Sequence, residues 1–425
     1  MNFTPDADQE LLRDSIRRFM KSEVTPLIAK HDVEKTFPFE ILKELAQFGY
    51  IGGRLPESEG GMGMDQFTWA MLMEEAGYAW LSMRTMLNIT NGPIHKIAAE
   101  GTPEQKERFL KPLLASERRC FTAISEPGTG SNIAQIQTRA DLKDDHYVLN
   151  GRKLWITNGA FADFGIVVAR TYSPDCQGQL STFLVEREVS PYEVRRVDTM
   201  VLRSTGTAEL NFDNVKVPRA NLIGEEGSAL KRMLVGLDGA RVNIAMGAVG
   251  AAQAALDLSI DYARTRTQFG KPIGSFQLVQ KLIVDMTVRV EAARALGLRA
   301  AAALDSQKDA RMACSIAKLY ATEAAHEVAS MALQVHGGLG YSTDYPIERI
   351  FRDTRGGTIP EGTTEVQTLI IGREILGMSA IVRAHEETPW RQPKIRQPTF
   401  RASSVPVPSL WSARPIARAA SANAR

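Results

Sequence analysis

Five segments of the 425-residue chain carry residue types that could do chemistry. Ile124-Ser125-Glu126-Pro127-Gly128-Thr129-Gly130-Ser131-Asn132 is polar and glycine-rich behind an apolar start. Its glycines let a backbone approach a flat ligand closely and its hydroxyls can hydrogen-bond one, although an ordinary surface turn has the same composition. Leu154-Trp155-Ile156-Thr157-Asn158-Gly159 sets an indole beside a hydroxyl, as a cover for a ring or as a half-buried core tryptophan. In Arg264-Thr265-Arg266-Thr267-Gln268-Phe269-Gly270-Lys271, with Gln277 beyond, the arginines could clamp a pyrophosphate bidentately or belong to a solvated helix end. Gln334–Tyr341 and Ile359–Glu365 are glycine-punctuated loops. Glu361, followed by Gly362, sits on a turn or helix entry, where most glutamates are merely exposed. His336, beside two glycines, reads as packing rather than catalysis.

These segments need elements to hold them. From Asp6 to about Ser116 apolar residues recur at helical spacing, as in Leu11, Leu12, Ile16, Phe19 and Met20. Thr102-Pro103-Glu104-Gln105 has the form of a capped helix start, and Pro56–Gly63 reads as a loop. From about Arg118 to Val217 the period changes to two, with short β-type runs at Tyr147–Leu149, Phe164–Val168, Thr182–Val185 and Glu209–Phe212. Asp144-Asp145, Asn150-Gly151 and Asp213-Asn214 look like hairpin links and predict an antiparallel β-domain. From about Gly227 to Leu376 the pattern is helical again, with long alanine-rich stretches at Ala292–Ala303 and Cys314–Val335. The expected class is α+β: a helical domain over 1–117, a β-domain over 118–226 and a helical bundle over 227–383. A basic tail over 384–425, rich in Pro, Ser and Ala, cannot bury enough apolar surface to fold alone.

Several functions have no support. A formal charge of +2 points neither to nucleic acid nor to an acidic surface, and no apolar run is long enough to span a bilayer. The acids of the first residues argue against a secretory signal, so a cytoplasmic protein is expected. Cys120, Cys176 and Cys314 form no CxxC pair and read as buried free thiols, and the six histidines lack metal-ligand spacing. No GxGxxG follows a strand, and neither GxxxxGK[ST] nor GxSxG occurs.

Taken in order, SEPGTGS, WITNG, ARTRTQFGKPI with FQ beyond it, QVHGGLGY and EGTTEVQ resemble the acyl-CoA dehydrogenase family, from about Asp6 to Met378. The resemblance implies an N-terminal helical domain, a middle β-domain and a C-terminal four-helix bundle that hold FAD, usually in a homotetramer. It implies that Ile124 and Ser125, with Thr122 nearby, meet the flavin ring, and that Trp155 and Thr157 cover its other edge. Gly130 and Ser131 match positions between flavin and thioester. Arg266, Phe269 and Gln277 match the segment that reaches a neighbouring subunit's FAD diphosphate. Gln334 and Gly338 match the loop at the adenosine part, and Thr363 and Glu365 match positions beside the cofactor. Leu237-Asp238-Gly239-Ala240-Arg241 is similar to the family's CoA-side helix. There Asp238 and Arg241 would face the pantetheine or nucleotide, although Arg241 could equally tie helices together.

The implied reaction is oxidation of an acyl-CoA to its 2,3-enoyl product. Glu361 takes the α-proton and hydride passes from the β-carbon to flavin N5, with electrons going on to an electron-transfer flavoprotein. The backbone N–H of Glu361 and a flavin hydroxyl would stabilise the enolate-like oxygen, and Gly362 flanks them. An alternative family location for the base falls on Ala240, which cannot act. Three departures stand out: Pro360 where the family often has Tyr, Asn132 for Asp, and Leu339 for Asn. Arg84 lies on the helix expected to floor the acyl pocket. The preferred expectation is that it points outward; inward, it would suit a carboxylate-bearing or polar acyl group. Glutaryl-CoA dehydrogenases use an arginine in this neighbourhood, at a position matching Leu81. The alternatives are a relative acting on an acyl-carrier-protein thioester or as an enoyl reductase, and a flavin-binding homologue without turnover.

Overall fold

Asp6 opens the first helix with a reciprocal capping box: its side chain accepts from Gln9 N–H while the Gln9 side chain accepts from Asp6 N–H. The computed structural model describes residues 4–306 and 310–380, so the expected tail lies outside the described residues. The first region comprises α1 (Ala7–Phe19), α2 (Thr25–Glu34), α3 (Ile41–Ala46), α4 (Gln66–Ala79), α5 (Leu81–Glu100), α6 (Pro103–Gln105) and α7 (Lys111–Leu114). Ile16 and Met20 are buried as their spacing predicts, whereas Leu11, on the same run, is 65% exposed. The Thr102–Gln105 capping box forms as read from the sequence. Pro56–Gly63 holds a single 3₁₀ turn, Glu57–Glu59.

Eight strands follow in one sheet: β1 (Cys120–Ala123), β2 (Arg139–Lys143), β3 (His146–Ile156), β4 (Phe164–Tyr172), β5 (Gln177–Glu186), β6 (Glu193–Arg196), β7 (Ala208–Pro218) and β8 (Leu222–Ile223). The order is β6-β7-β3-β2-β4-β5-β8, with β1 also pairing β4. Most pairs are antiparallel, but β1 and β2 both run parallel to β4, at Cys120–Ala123 and Arg139–Asp141 respectively. Only one of the three expected hairpin links is a turn: Asp144-Asp145 joins β2 to β3. Asn150-Gly151 and Asp213-Asn214 instead face each other within β3 and β7, where the register shifts. Asn214 N–H donates to Asn150 Oδ1 at 2.8 Å across this bulge. The residue types that favour φ > 0 serve a bulge as well as a turn, and Gly151 (φ +146°) and Asn214 (φ +50°) supply it here.

The third region holds α8 (Ala229–Thr265), a two-stranded hairpin of β9 (Thr267–Gln268) and β10 (Lys271–Pro272), α9 (Gln277–Asp305), α10 (Arg311–His336), α11 (Ile347–Gly356) and α12 (Thr364–Leu376). Small residues let α4 and α8 touch through their backbones. A Cβ at Gly77 would lie 2.2 Å from Gly247 O, and one at Gly250 would lie 1.9 Å from Glu74 O. Trp69 Nε1 donates to Asn243 Oδ1 at 2.9 Å, and Asn243 Nδ2 donates to Asn88 Oδ1 at 2.8 Å, so α4, α8 and α5 are locked in one register. One continuous apolar core joins these helices to the N-terminal set, while a second lies under the sheet around Phe121, Tyr147, Phe183 and Phe212. No helix among the described residues is long and apolar enough to cross a membrane.

Candidate active site

Thr122 lies in β1, and Ile124 and Ser125 leave its end half-buried. Two contacts fasten that exit to β3: Leu154 N–H donates to Ser125 O at 3.0 Å, and Lys153 Nζ donates to Ile124 O at 2.8 Å. The glycine-rich turn and the tryptophan segment, far apart in sequence, are thereby stitched side by side. Beneath them Lys153, fully buried, donates to Glu126 Oε1 at 2.9 Å. Glu126 also accepts from the N–H groups of Gln137 (2.7 Å) and Thr138 (2.8 Å). The two partners respond differently. Although burial opposes it, the Glu126 carboxyl is held below the usual carboxylate range by Lys153 and these donors. Burial instead pulls Lys153 down to about 8, because desolvation costs the ammonium more than one carboxylate returns. Glu126→Gln should therefore lower stability by about 3 kcal/mol, since it strands a buried cation. Thermal unfolding checks this, and an unchanged midpoint would count against it. The sign of the pH dependence follows: the Glu126 contribution is present above the ordinary carboxylate pKa and fades as pH falls through its depressed folded value.

The residues above this support suit a planar ligand. Trp155 is 60% exposed and holds φ +65°, a left-handed conformation costly for an aromatic residue. The indole is therefore not the half-buried core side chain that its sequence context allowed. Thr157 is half-buried nearby, and a Cβ on either Gly128 or Gly130 would meet nothing within 4 Å. Gly130 and Ser131 are exposed. An uncovered indole, half-buried hydroxyls and free space over glycine backbone fit a flat ring with hydrogen-bonding edges, as FAD requires.

Two other predicted segments stay open to solvent in the single chain. Phe269, at the tip of the β9–β10 hairpin with φ +51°, is 92% exposed, and Arg266 and Gln277 flank it in exposed positions. Gln334 and Gly338 are likewise exposed. His336 is buried, stacked on Tyr262 at 4.6 Å and bonded through Nδ1 to Ala332 O at 2.8 Å, which is the packing role expected for it. All three cysteines are free and buried.

Glu361 sits between α11 and α12 with φ +55°, and Gly362 follows at φ +90°. Burial raises the Glu361 pKa, opposed by Arg241, Arg84 and Lys318. Arg241, on α8, is buried and pairs with Asp238 at 2.5 Å, so it ties its own helix together as well as facing the glutamate. Leu237 is half-buried one turn before it. Arg84 overturns the preferred expectation. It points inward, is only 5% exposed and feels the Glu361 charge, and burial pulls its pKa down to about 10. The reason is Gly247 on α8, where a Cβ would lie 2.7 Å from Arg84 Nε; the missing side chain makes the room. The Arg84 Nε is buried without a hydrogen-bond partner.

Two residues around Glu361 were given no role by the sequence reading. Lys318 on α10 is fully buried and donates from Nζ to Gly362 O at 2.8 Å. Gln367 on α12, also fully buried, donates from Nε2 to Glu361 O (3.1 Å) and Gly362 O (3.0 Å). A lysine amid the alanines of Cys314–Val335 was the available signal for the first. Thr363 caps α12, its hydroxyl accepting from Val366 N–H, and Glu365 is exposed. A cavity of about 890 Å³ lies elsewhere, between α1, α4, α8, α9 and α11. Neither Glu361 nor the glycine-rich turn lines it, so it holds none of this chemistry.

Comparison with known proteins agrees with this arrangement. Family models match over residues 6–117 (acyl-CoA dehydrogenase, N-terminal domain), 121–215 (middle domain) and 229–376 (C-terminal domain). The chain is 37% identical over 387 residues to the Bacillus subtilis protein named probable acyl-CoA dehydrogenase YngJ, covering 88% of this chain and 100% of that one. It is 36% identical to CarC of Acetobacterium woodii, a subunit of the caffeyl-CoA reductase–Etf complex, covering 86% and 98%. Among solved structures, a glutaryl-coenzyme A dehydrogenase in complex with glutaryl-CoA superposes with a TM-score of 0.84 at 34% identity, covering 89% and 97%.

Proposed function

Because the chain belongs to the acyl-CoA dehydrogenase family of FAD-dependent oxidoreductases, we propose that it dehydrogenates an acyl-CoA thioester across its α- and β-carbons, with Glu361 as the base. The carrying observation is Glu361, half-buried on a strained turn, its carboxyl faced by three cationic side chains. Burial makes it a stronger base, while Arg241, Arg84 and Lys318 favour its ionised form. Its carboxylate receives the α-proton, and the backbone N–H of Glu361 donates to the thioester oxygen as negative charge gathers there. The chemistry that FAD supplies when bound is acceptance of the hydride leaving the β-carbon.

Thr122, Ile124, Ser125, Trp155 and Thr157 would hold the ring, and Gly130 and Ser131 would border ring and thioester. Thr363 and Glu365 would sit beside the cofactor, and Gln334 and Gly338 at its adenosine end. The exposed Arg266–Gln277 hairpin supports a homotetramer in which it reaches a neighbouring subunit's FAD diphosphate. On the substrate side, Leu237, Asp238 and Arg241 would meet the CoA arm, with Gly362 next to the reacting carbon. Arg84 would meet the far end of the acyl group. A buried guanidinium whose Nε lacks an acceptor favours an acyl chain that brings one, such as a carboxylate. An electron-transfer flavoprotein as electron acceptor and a cytoplasmic location complete this reading.

The relative named as a reductase–Etf subunit favours a second direction, in which protonated Glu361 returns a proton to the α-carbon of an enoyl-CoA. Anaerobic titration of the yellow protein with a panel of acyl-CoAs and enoyl-CoAs separates the two. Bleaching by a saturated thioester is expected for dehydrogenation. A protein that binds no FAD, or is bleached by no thioester, would end both readings.

A further inference from the structure

We infer that Lys318, together with Gln367, is a positioning residue that sets the Glu361–Gly362 turn so that the base and its amide N–H groups face the reacting carbon. The inference rests on the reading of Glu361 as the base. Both carbonyls of the turn are drawn inward: Glu361 O by Gln367 Nε2, and Gly362 O by Gln367 Nε2 and Lys318 Nζ. In a trans peptide the C=O and the following N–H point opposite ways. Anchoring Glu361 O therefore turns Gly362 N–H outward, and anchoring Gly362 O turns Thr363 N–H outward. The N–H groups of Gly362 and Thr363 accordingly find no acceptor among the described residues, and that of Glu361, in the preceding peptide, has none there either. Three consecutive free donors beside a base form a surface ready for developing negative charge.

The turn does not hold this shape by itself, since Glu361 occupies the left-handed region at φ +55°. Nor is there slack in the clamp: a Cβ on Gly362 would lie 2.5 Å from Gln367 Nε2. Lys318 brings charge as well as a hydrogen bond. Facing it are Glu323 on its own helix, Glu361, Glu365 on α12 and Arg241 on α8. Glu323 is engaged elsewhere, accepting from the Thr364 hydroxyl. Arg84 on α5 and Arg241 on α8 face the glutamate alongside Lys318. Burial draws Lys318 down to about 8, so it is an ammonium at neutral pH.

The test uses the FAD-loaded full chain with Lys318→Met and Lys318→Gln. Lys318→Met removes anchor and charge, and kcat should fall about 30-fold, with bound flavin and KM unchanged, as for loss of one charge-assisted hydrogen bond. In both variants the acid limb of kcat/KM should move to higher pH, because Glu361 has lost a cation. Lys318→Gln keeps a donor and should recover most of kcat without restoring the limb. Wild-type kcat and an unmoved limb would overturn the inference; so would joint loss of flavin and activity with the limb unmoved. If Lys318→Met fails to fold, the position of the limb in Lys318→Gln decides alone. The two readings fail separately. Turnover that survives Glu361→Gln removes the base, whereas a dead Glu361→Gln beside wild-type Lys318 variants removes only the clamp.

Discussion

Glu361→Gln is expected to bind FAD and acyl-CoA yet lower turnover by about 10²- to 10⁴-fold, the span attributed to a positioned general base. The amide matches the carboxylate in size and leaves the Gln367 and Lys318 hydrogen bonds to the backbone in place. What is lost is the proton acceptor alone. The pH profile makes the assignment specific. Burial is the largest influence on this carboxyl and raises its pKa, so wild-type activity should fall on acidification earlier than an ordinary glutamate would dictate. In Glu361→Gln the residual rate should lose that limb. Stopped-flow bleaching by a good acyl-CoA reads both quantities. A variant that bleaches at the wild-type rate would show that the proton leaves to another group.

Arg84→Met should exchange one substrate class for another. If the guanidinium meets an acceptor on the acyl group, kcat/KM for acyl-CoAs carrying a terminal carboxylate should drop by about 10⁴-fold, as when a site built to bind a polar group loses its partner. Straight apolar chains should gain at the same time, since a thioether of similar length leaves nothing unpaired. Stability should hold or rise, because the arginine is buried with Nε unsatisfied. Arg84 carries its charge below a pKa of about 10, so the preference for a carboxylate should persist across neutral pH and weaken only in strong alkali. An unchanged ratio of specificities between the two classes would detach Arg84 from the acyl group.

Local signals were the legible part of this molecule. The Thr102–Gln105 capping box, the helical spacing of Ile16 and Met20 and the period-two strands depend on neighbours within a few residues, and each formed as expected. Motif order carried the family and hence the arrangement of the three regions. Features set by distant partners were hidden. Arg84 points inward because α8 offers Gly247, more than 160 residues later in the chain. Asn150-Gly151 became a bulge rather than a turn because Asn214 lies opposite it. The parallel placement of β1 and β2 along β4 is likewise invisible to periodicity, which cannot report strand direction. Lys318 and Gln367 matter for where they end, on two carbonyls of one turn; Lys318 belongs to none of the quoted motifs, and Gln367 closes EGTTEVQ without its contact showing there.

The bare backbone at Gly247 also limits how this protein can change over generations. Even alanine at that position would press on Arg84, the side chain that crosses the glycine, so the effect of a substitution at 247 depends on what residue 84 is. A lineage that shortens Arg84 first opens space into which position 247 can then grow. One that enlarges 247 first meets a clash with Arg84. The two sites are therefore epistatic, and adaptation toward another acyl group has an order in which its steps can be taken.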